Sequence, residues 1–155
     1  MLGDIPQFYF DDLHVGQVFE LGSITVSEEE MLAFAQHYDP QPFHLSIEQA
    51  RETPFRGLIA SGWQTGSLFM RLFAERFLNQ TISLASPGID ELRWLKPVRP
   101  GDVLRGRCTI LSCAPSRSRP EMGVVRTQCE FINQHDEQVM TLQPVNFIGR
   151  RPHEQ

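Results

Sequence analysis

Residues 60–79 read ASGWQTGSLFMRLFAERFLN, and the fold turns on where the apolar side chains fall in that run. Wound at 3.6 residues per turn, Trp63, Leu68, Phe69, Met70, Leu72, Phe73, Phe77 and Leu78 cover more than one stripe of a helix surface. Arg71, Glu75 and Arg76 interrupt the longest apolar part, so it falls short of the roughly 18 apolar residues of a membrane span. A helix with so wide an apolar surface is largely enclosed by the rest of its fold.

The enclosing material lies downstream, where the apolar period changes from helical to two. Leu104, Cys108 and Ile110 alternate with Arg105, Arg107 and Thr109, and Val125, Thr127, Cys129 and Phe131 alternate with Arg126, Gln128 and Glu130. Residues 89–95 and 139–148 complete four consecutive strands, with Pro144 implying a bulge or an edge position in the last. Turn chemistry separates them at Pro100-Gly101-Asp102, at 114–121 and at 133–137. Upstream, residues 17–26 read as a first strand. Ser27 and Glu30 form a capping box before the helical stripe Met31, Leu32, Phe34, Ala35 and Tyr38. Pro40 drives Asp39 out of the α region and ends that helix, and a short helix opens at Ser46. Hairpin-connected strands after a helix block define an α+β protein with an antiparallel sheet. A sheet curled around one helix is the hotdog arrangement. One domain over residues 1–155, with a core of about 10–150, is expected for 155 residues.

Composition narrows the function classes. The net charge is −5, and Lys96 is the only lysine. The arginines are dispersed, so no basic field for nucleic acid forms. Residues 1–6 carry neither the charged nor the apolar region of an export signal, and no membrane partner is expected. Cys108, Cys113 and Cys129 lack metal-ligand spacing and read as buried free thiols, consistent with the cytoplasm. The five histidines are scattered without ligand spacing, so neither metal nor cofactor is expected.

Two segments carry chemistry. In Asp39-Pro40-Gln41-Pro42-Phe43-His44 an acid and an imidazole lie five residues apart in a loop stiffened by two prolines. Such a loop holds both side chains with little entropy left to lose, and a carboxylate with an imidazole suits proton transfer through a shared water. The bland alternative is a helix-terminal turn in which Asp39 caps something and His44 is a polar loop residue. In Gly57-Leu58-Ile59-Ala60-Ser61-Gly62-Trp63, the unpaired N–H groups of the long helix can polarise a carbonyl oxygen beside a glycine. Alternatively, Ser61 caps a buried helix and Gly62 eases packing.

These segments, with Arg93-Trp94-Leu95-Lys96-Pro97-Val98-Arg99-Pro100-Gly101-Asp102, resemble the MaoC-like dehydratase and (R)-specific enoyl-CoA hydratase family of the hotdog superfamily. Members carry Asp-x-Asn-Pro-x-His, a small-residue turn into the hotdog helix, and a Pro-Val-x-Pro-Gly-Asp turn. The likeness covers roughly residues 10–150. It implies a homodimeric hydro-lyase that reversibly hydrates a 2-enoyl-CoA, with an acyl-CoA thioester as partner and no cofactor. Asp39 and His44 match the catalytic pair. Gly62 falls where a backbone N–H meets the thioester carbonyl, with Ser61 beside it on the substrate side, and Ser67 matches a serine that positions active-site groups. Gln41 replaces the usual asparagine, and Ser61 stands where many members have histidine. Arg117 and Arg119 are candidates for the CoA phosphates. Two other readings remain open. One is an acyl-CoA thioesterase using a helix acid such as Glu75, and the other is a non-catalytic acyl-CoA-binding or dehydratase partner subunit.

Overall fold

The structure, a computed structural model, describes residues 7–152. The expectation that residues 1–6 hold no export signal lies outside the described residues. Strand β1 (Val18–Thr25) leads into helix α1 (Glu28–Tyr38), the helical turn α2 (Pro42–Leu45), the short helix α3 (Ile47–Arg51) and the long helix α4 (Gly62–Arg76). Strands β2 (Ser83–Trp94), β3 (Val103–Pro115), β4 (Met122–Ile132) and β5 (Gln138–Gly149) follow. The five strands form one antiparallel sheet in the order β1-β3-β4-β5-β2. This is the α+β hotdog fold, a curled antiparallel sheet packed on one long helix. Among the described residues, no helix is long and apolar enough to cross a membrane.

The start signals open both α1 and α3, although of the two reciprocal bonds of a capping box only the one to the serine hydroxyl forms among the described residues. The Ser27 hydroxyl accepts from the Glu30 N–H at 3.3 Å to open α1, and Ser46 does the same for Gln49 at 3.2 Å in α3. Each bond satisfies one of the donors a helix leaves unpaired at its amino end. The sheet bends at β1, where Gly22 takes φ +81 and the register with β3 shifts between Glu20 and Ser23. A glycine bulge of this kind increases local twist.

Phe69 and Phe73 of α4 and Phe77 just past its end form the centre of the core, with Phe131 of β4 edge-on to Phe69 at 5.4 Å. Leu21, Leu104, Cys108, Ile110 and Met140 pack around them. The alternation read in β3 and β4 is the burial pattern observed, with Leu104, Cys108, Ile110, Val125, Thr127, Cys129 and Phe131 inside. All three cysteines are free thiols; Cys108 and Cys129 face each other across β3 and β4 and are buried, and Cys113 is half-buried.

Four expectations are corrected. First, α4 spans Gly62–Arg76 rather than 60–79. Ala60 donates its N–H to Val98 O at 2.8 Å instead of entering the helix. At the other end Phe77 leaves helical dihedrals, and Leu78–Gln80 forms a 3-10 turn. Second, α4 is not enclosed on all sides. Gln64, Thr65, Phe69, Leu72 and Phe73 are buried, but Trp63 (60% exposed) and Met70 face outward in the single chain. Third, of the two positions read for Pro144, the bulge holds and the edge does not, because β5 is an interior strand. Pro144 is accommodated by a bulge on its neighbour, where the β2 register shifts between Ile89 and Leu92, and this edge strand supplies the slack. Fourth, β2 begins at Ser83, not 89. Pro87 and Gly88 are absorbed on this edge strand by a further register shift between Ala85 and Gly88.

Candidate active site

Asp39 and His44 meet. Helix α1 ends where the sequence requires, with Asp39 at φ −151, ψ 68, its N–H still donating to Ala35 O. Three residues on, Pro42 opens α2 at the first helical position, where its fixed φ suits a helix and its missing N–H costs nothing. The expected loop is thus partly a helical turn, and that turn points His44 inward. His44 is buried, 6% exposed, and its Nε2 lies 3.4 Å from Asp39 Oδ2.

The other ring nitrogen fixes the tautomer. Nδ1 lies 2.8 Å from the Ile59 carbonyl oxygen, which can only accept, so Nδ1 carries the proton and donates. In the neutral ring Nε2 therefore presents a lone pair to the Asp39 carboxylate. Two acceptors this close require a donor between them, either a proton on Nε2 or a molecule that donates to both.

The Asp39 carboxylate is held at both oxygens. Ser61 Oγ donates to Oδ2 at 2.7 Å and Gln41 Nε2 donates to Oδ1 at 2.6 Å. The Ser61 bond first, then the Gln41 bond, lower the Asp39 pKa below its ordinary value of 3.8; partial burial opposes them and His44 adds a smaller lowering. Donors to the charged form favour it, so the group is an anion at neutral pH.

Helix α4 begins beside this pair. Ser61 is its N-cap residue, yet its side chain makes no cap bond; the hydroxyl is turned to Asp39 and donates to it. The Gly62 and Trp63 N–H groups have no hydrogen-bond partner among the described residues, leaving two donors with the partial positive charge of a helix amino end. Gly62 is tightly confined. A Cβ there would lie 2.4 Å from the Trp94 ring, and Trp94 also meets Trp63 edge-on at 5.3 Å.

A cavity of about 390 Å³ opens over these groups, with His44, Gly62 and Trp94 in its wall. Phe43, Phe55, Ile59 and Val98 make most of its remaining lining apolar, and Lys96 stands among the lining residues. Lys96 pairs with Glu137. Trp94, Phe55 and Lys96 were not singled out in the sequence as site residues. Trp94 and Lys96 lie in the Arg93–Asp102 stretch already quoted, next to the Pro-Val turn, and that adjacency is the signal that could have found them.

The Ser67 hydroxyl donates to Trp63 O at 2.8 Å on the exposed side of α4 and makes no hydrogen bond to Asp39 or His44 among the described residues. Arg117 and Arg119 sit in the β3–β4 turn, at the opposite end of β4 from the cavity-lining end of β5, where Val139 lies. Arg119 pairs with Glu121 at 2.9 Å. Glu75 is exposed and pairs with Arg71 at 3.1 Å. Among the described residues no three His, Cys, Asp or Glu side chains gather as metal ligands.

A hotdog fold with an acid–imidazole pair at the amino end of its long helix defines the class of protein. The MaoC like domain matches residues 12–131, and the chain belongs to that family. A solved MaoC-like dehydratase from Rhodospirillum rubrum superposes with a TM-score of 0.88 at 39% identity, covering 94% of this chain and 99% of that one. A 3-hydroxybutyryl-CoA dehydratase from Methylorubrum extorquens is 31% identical over 79% of this chain and 76% of its own length. An (R)-specific enoyl-CoA hydratase from Rhodospirillum rubrum is 28% identical over 81% of this chain and 83% of its own length.

Proposed function

We propose that the protein is a hydro-lyase that reversibly adds water across the double bond of a 2-enoyl-CoA. The observation that carries this is the approach of His44 Nε2 to Asp39 Oδ2 at 3.4 Å, beside helix N–H groups without a partner among the described residues and an apolar cavity. A water oxygen can sit ~2.8 Å from both acceptors and donate one hydrogen to each. The thioester carbonyl accepts from the Gly62 N–H, which draws electrons from the double bond and stabilises the enolate that forms. Asp39 takes a proton from the water while His44 Nε2 orients it. The hydroxide oxygen bonds to C3, and the pair returns the proton to the α-carbon, giving the 3-hydroxyacyl-CoA. Dehydration is the reverse.

A homodimer belongs to the same proposal. Trp63 and Met70 on α4 and Leu84, Ile89 and Trp94 on edge strand β2 are large apolar side chains exposed in the single chain. A second copy laid along β2 removes them from water and covers an unpaired strand edge.

The test is loss of conjugated-enoyl absorbance with crotonyl-CoA and a panel of longer enoyl-CoAs. Asp39→Asn and His44→Ala each lower turnover by roughly 10²–10⁴-fold. Wild-type turnover in both variants, or release of free CoA without hydration, would sink the proposal.

A further inference from the structure

We propose that Ser61 is a positioning residue for Asp39. Its hydroxyl holds the carboxylate turned toward His44 Nε2 and fixes that base relative to the helix N–H groups that begin one residue later. This rests on the hydro-lyase reading above and assigns Ser61 a role other than contact with substrate.

Three observations converge on Ser61. It stands at the N-cap of α4, the position at which serine ordinarily accepts from the N–H groups of its own helix. Here it does not; the side chain, only 1% exposed, donates to Asp39 Oδ2 at 2.7 Å. The same hydroxyl thus leaves the helix donors free and takes hold of the acid.

The second observation concerns which oxygen is held. Oδ2 is the carboxylate oxygen that faces His44 Nε2, and Gln41 holds the other, Oδ1. Gln41 is two residues from Asp39 and moves with it. Ser61 is 22 residues away in sequence, so its bond ties the carboxylate to the rest of the fold and fixes its rotation.

Third, the extended segment before α4 holds every part of the site in one register. Ile59 O accepts from His44 Nδ1 at 2.8 Å, Ala60 N–H donates to Val98 O at 2.8 Å, Ser61 holds Asp39, and the Gly62 N–H is open. The imidazole, the carboxylate and the carbonyl-polarising donor are therefore spaced by four consecutive residues. Displacement of a reacting group by ~1 Å costs about 10²-fold in rate, so such a spacer matters to turnover.

The Ser61 hydroxyl also favours the charged carboxylate, since its O–H can donate to an anion. The titratable group facing Asp39 is His44 on α2; Gln41 and Ser61, which complete its surroundings, are neutral.

The experiment compares wild type, Ser61→Ala and Ser61→Thr. It reads kcat and KM for crotonyl-CoA hydration across pH, and the ¹³C titration of the Asp39 carboxyl, assigned by its loss in Asp39→Asn. In Ser61→Ala the Asp39 midpoint moves up by about one pH unit, the scale of one hydrogen bond to a charged group. The acid limb of kcat moves with it, kcat falls about 10–100-fold, and KM stays within about threefold. Ser61→Thr, which keeps the hydroxyl, restores the midpoint and the rate. If Ser61→Ala or Ser61→Thr does not fold, Ser61→Cys, with its weak thiol donor, gives a midpoint between the wild-type and hydroxyl-free values. An unmoved midpoint overturns the proposal, as does a change in KM with kcat and the pH limb intact. Full activity in Asp39→Asn would remove the hydratase reading alone, because the Asp39 midpoint in Ser61→Ala decides the positioning role without reference to turnover.

Discussion

Gly62→Ala tests the packing at the centre of the site. The backbone there carries no positive φ, so the cost of the added methyl is purely one of space. Its carbon would lie 2.4, 2.6 and 2.8 Å from three atoms of the Trp94 ring. Ordinary carbon contacts settle near ~3.5 Å, so the ring must retreat by about 1 Å or rotate away from the helix. Trp94 is 46% exposed on an edge strand of the single chain, so there it can turn outward, and a second copy packed on β2 would take away that room and hold the strain of an overpacked site. We expect a loss of about 1–3 kcal/mol. Urea unfolding followed by tryptophan emission measures it directly, since the chain has two tryptophans and they touch at 5.3 Å. The native emission spectrum changes as well, because the variant parts that pair. The decisive arm is the double mutant. In a Trp94→Ala background the added methyl meets no ring, so Gly62→Ala there costs less than about 0.5 kcal/mol. An equal cost in both backgrounds, or a wild-type midpoint and spectrum for Gly62→Ala alone, refutes the packing argument.

Other consequences are equally direct. Phe73→Ala removes a fully buried ring stacked between Phe69 and Phe77; unfolding by urea should show a loss of about 3–5 kcal/mol. Asp12 accepts from the Tyr9 N–H and from Arg151, and these lower its pKa, the Tyr9 bond most. A carboxylate with a depressed folded-state pKa adds stability in full above its unfolded value and loses it as pH falls through the folded one. Asp12→Asn should therefore lower the urea midpoint at pH 7, and the gap from wild type should close below the ordinary value of 3.8. Leu84→Glu with Ile89→Lys places charges on the exposed face of β2 and should turn a dimer into monomers by light scattering; unchanged mass would remove β2 from the interface.

The wide apolar surface of residues 60–79 and the later period-two strands made an α+β layout with an antiparallel sheet legible, because both patterns follow from local geometry and burial; the hotdog arrangement in particular came from the resemblance of the three motifs. The ends of α4 were not legible in the same way. Ala60 leaves the helix for a bond to Val98 O, and Phe77 turns into the core, choices made by residues distant in sequence. The exposed face of α4 was also missed, because an apolar pattern records that a surface is covered without recording by what.

The sequence by itself placed an acid and an imidazole five residues apart in one proline-stiffened loop, since Pro40 ends α1 at Asp39 and Pro42 restricts Gln41; the helical turn at Pro42 came only with the structure. The sequence also placed a serine and a glycine at the mouth of the long helix. Only the tertiary structure decided what those residues hold. Ser61 turns from its own helix to Asp39, His44 is fixed through a carbonyl 15 residues away, and Trp94 from the edge strand closes over Gly62. The physical reason is that backbone restriction and periodicity act within a few residues. The partner of a hydroxyl or an imidazole is set by the packing of segments that meet only once the sheet has closed on its helix.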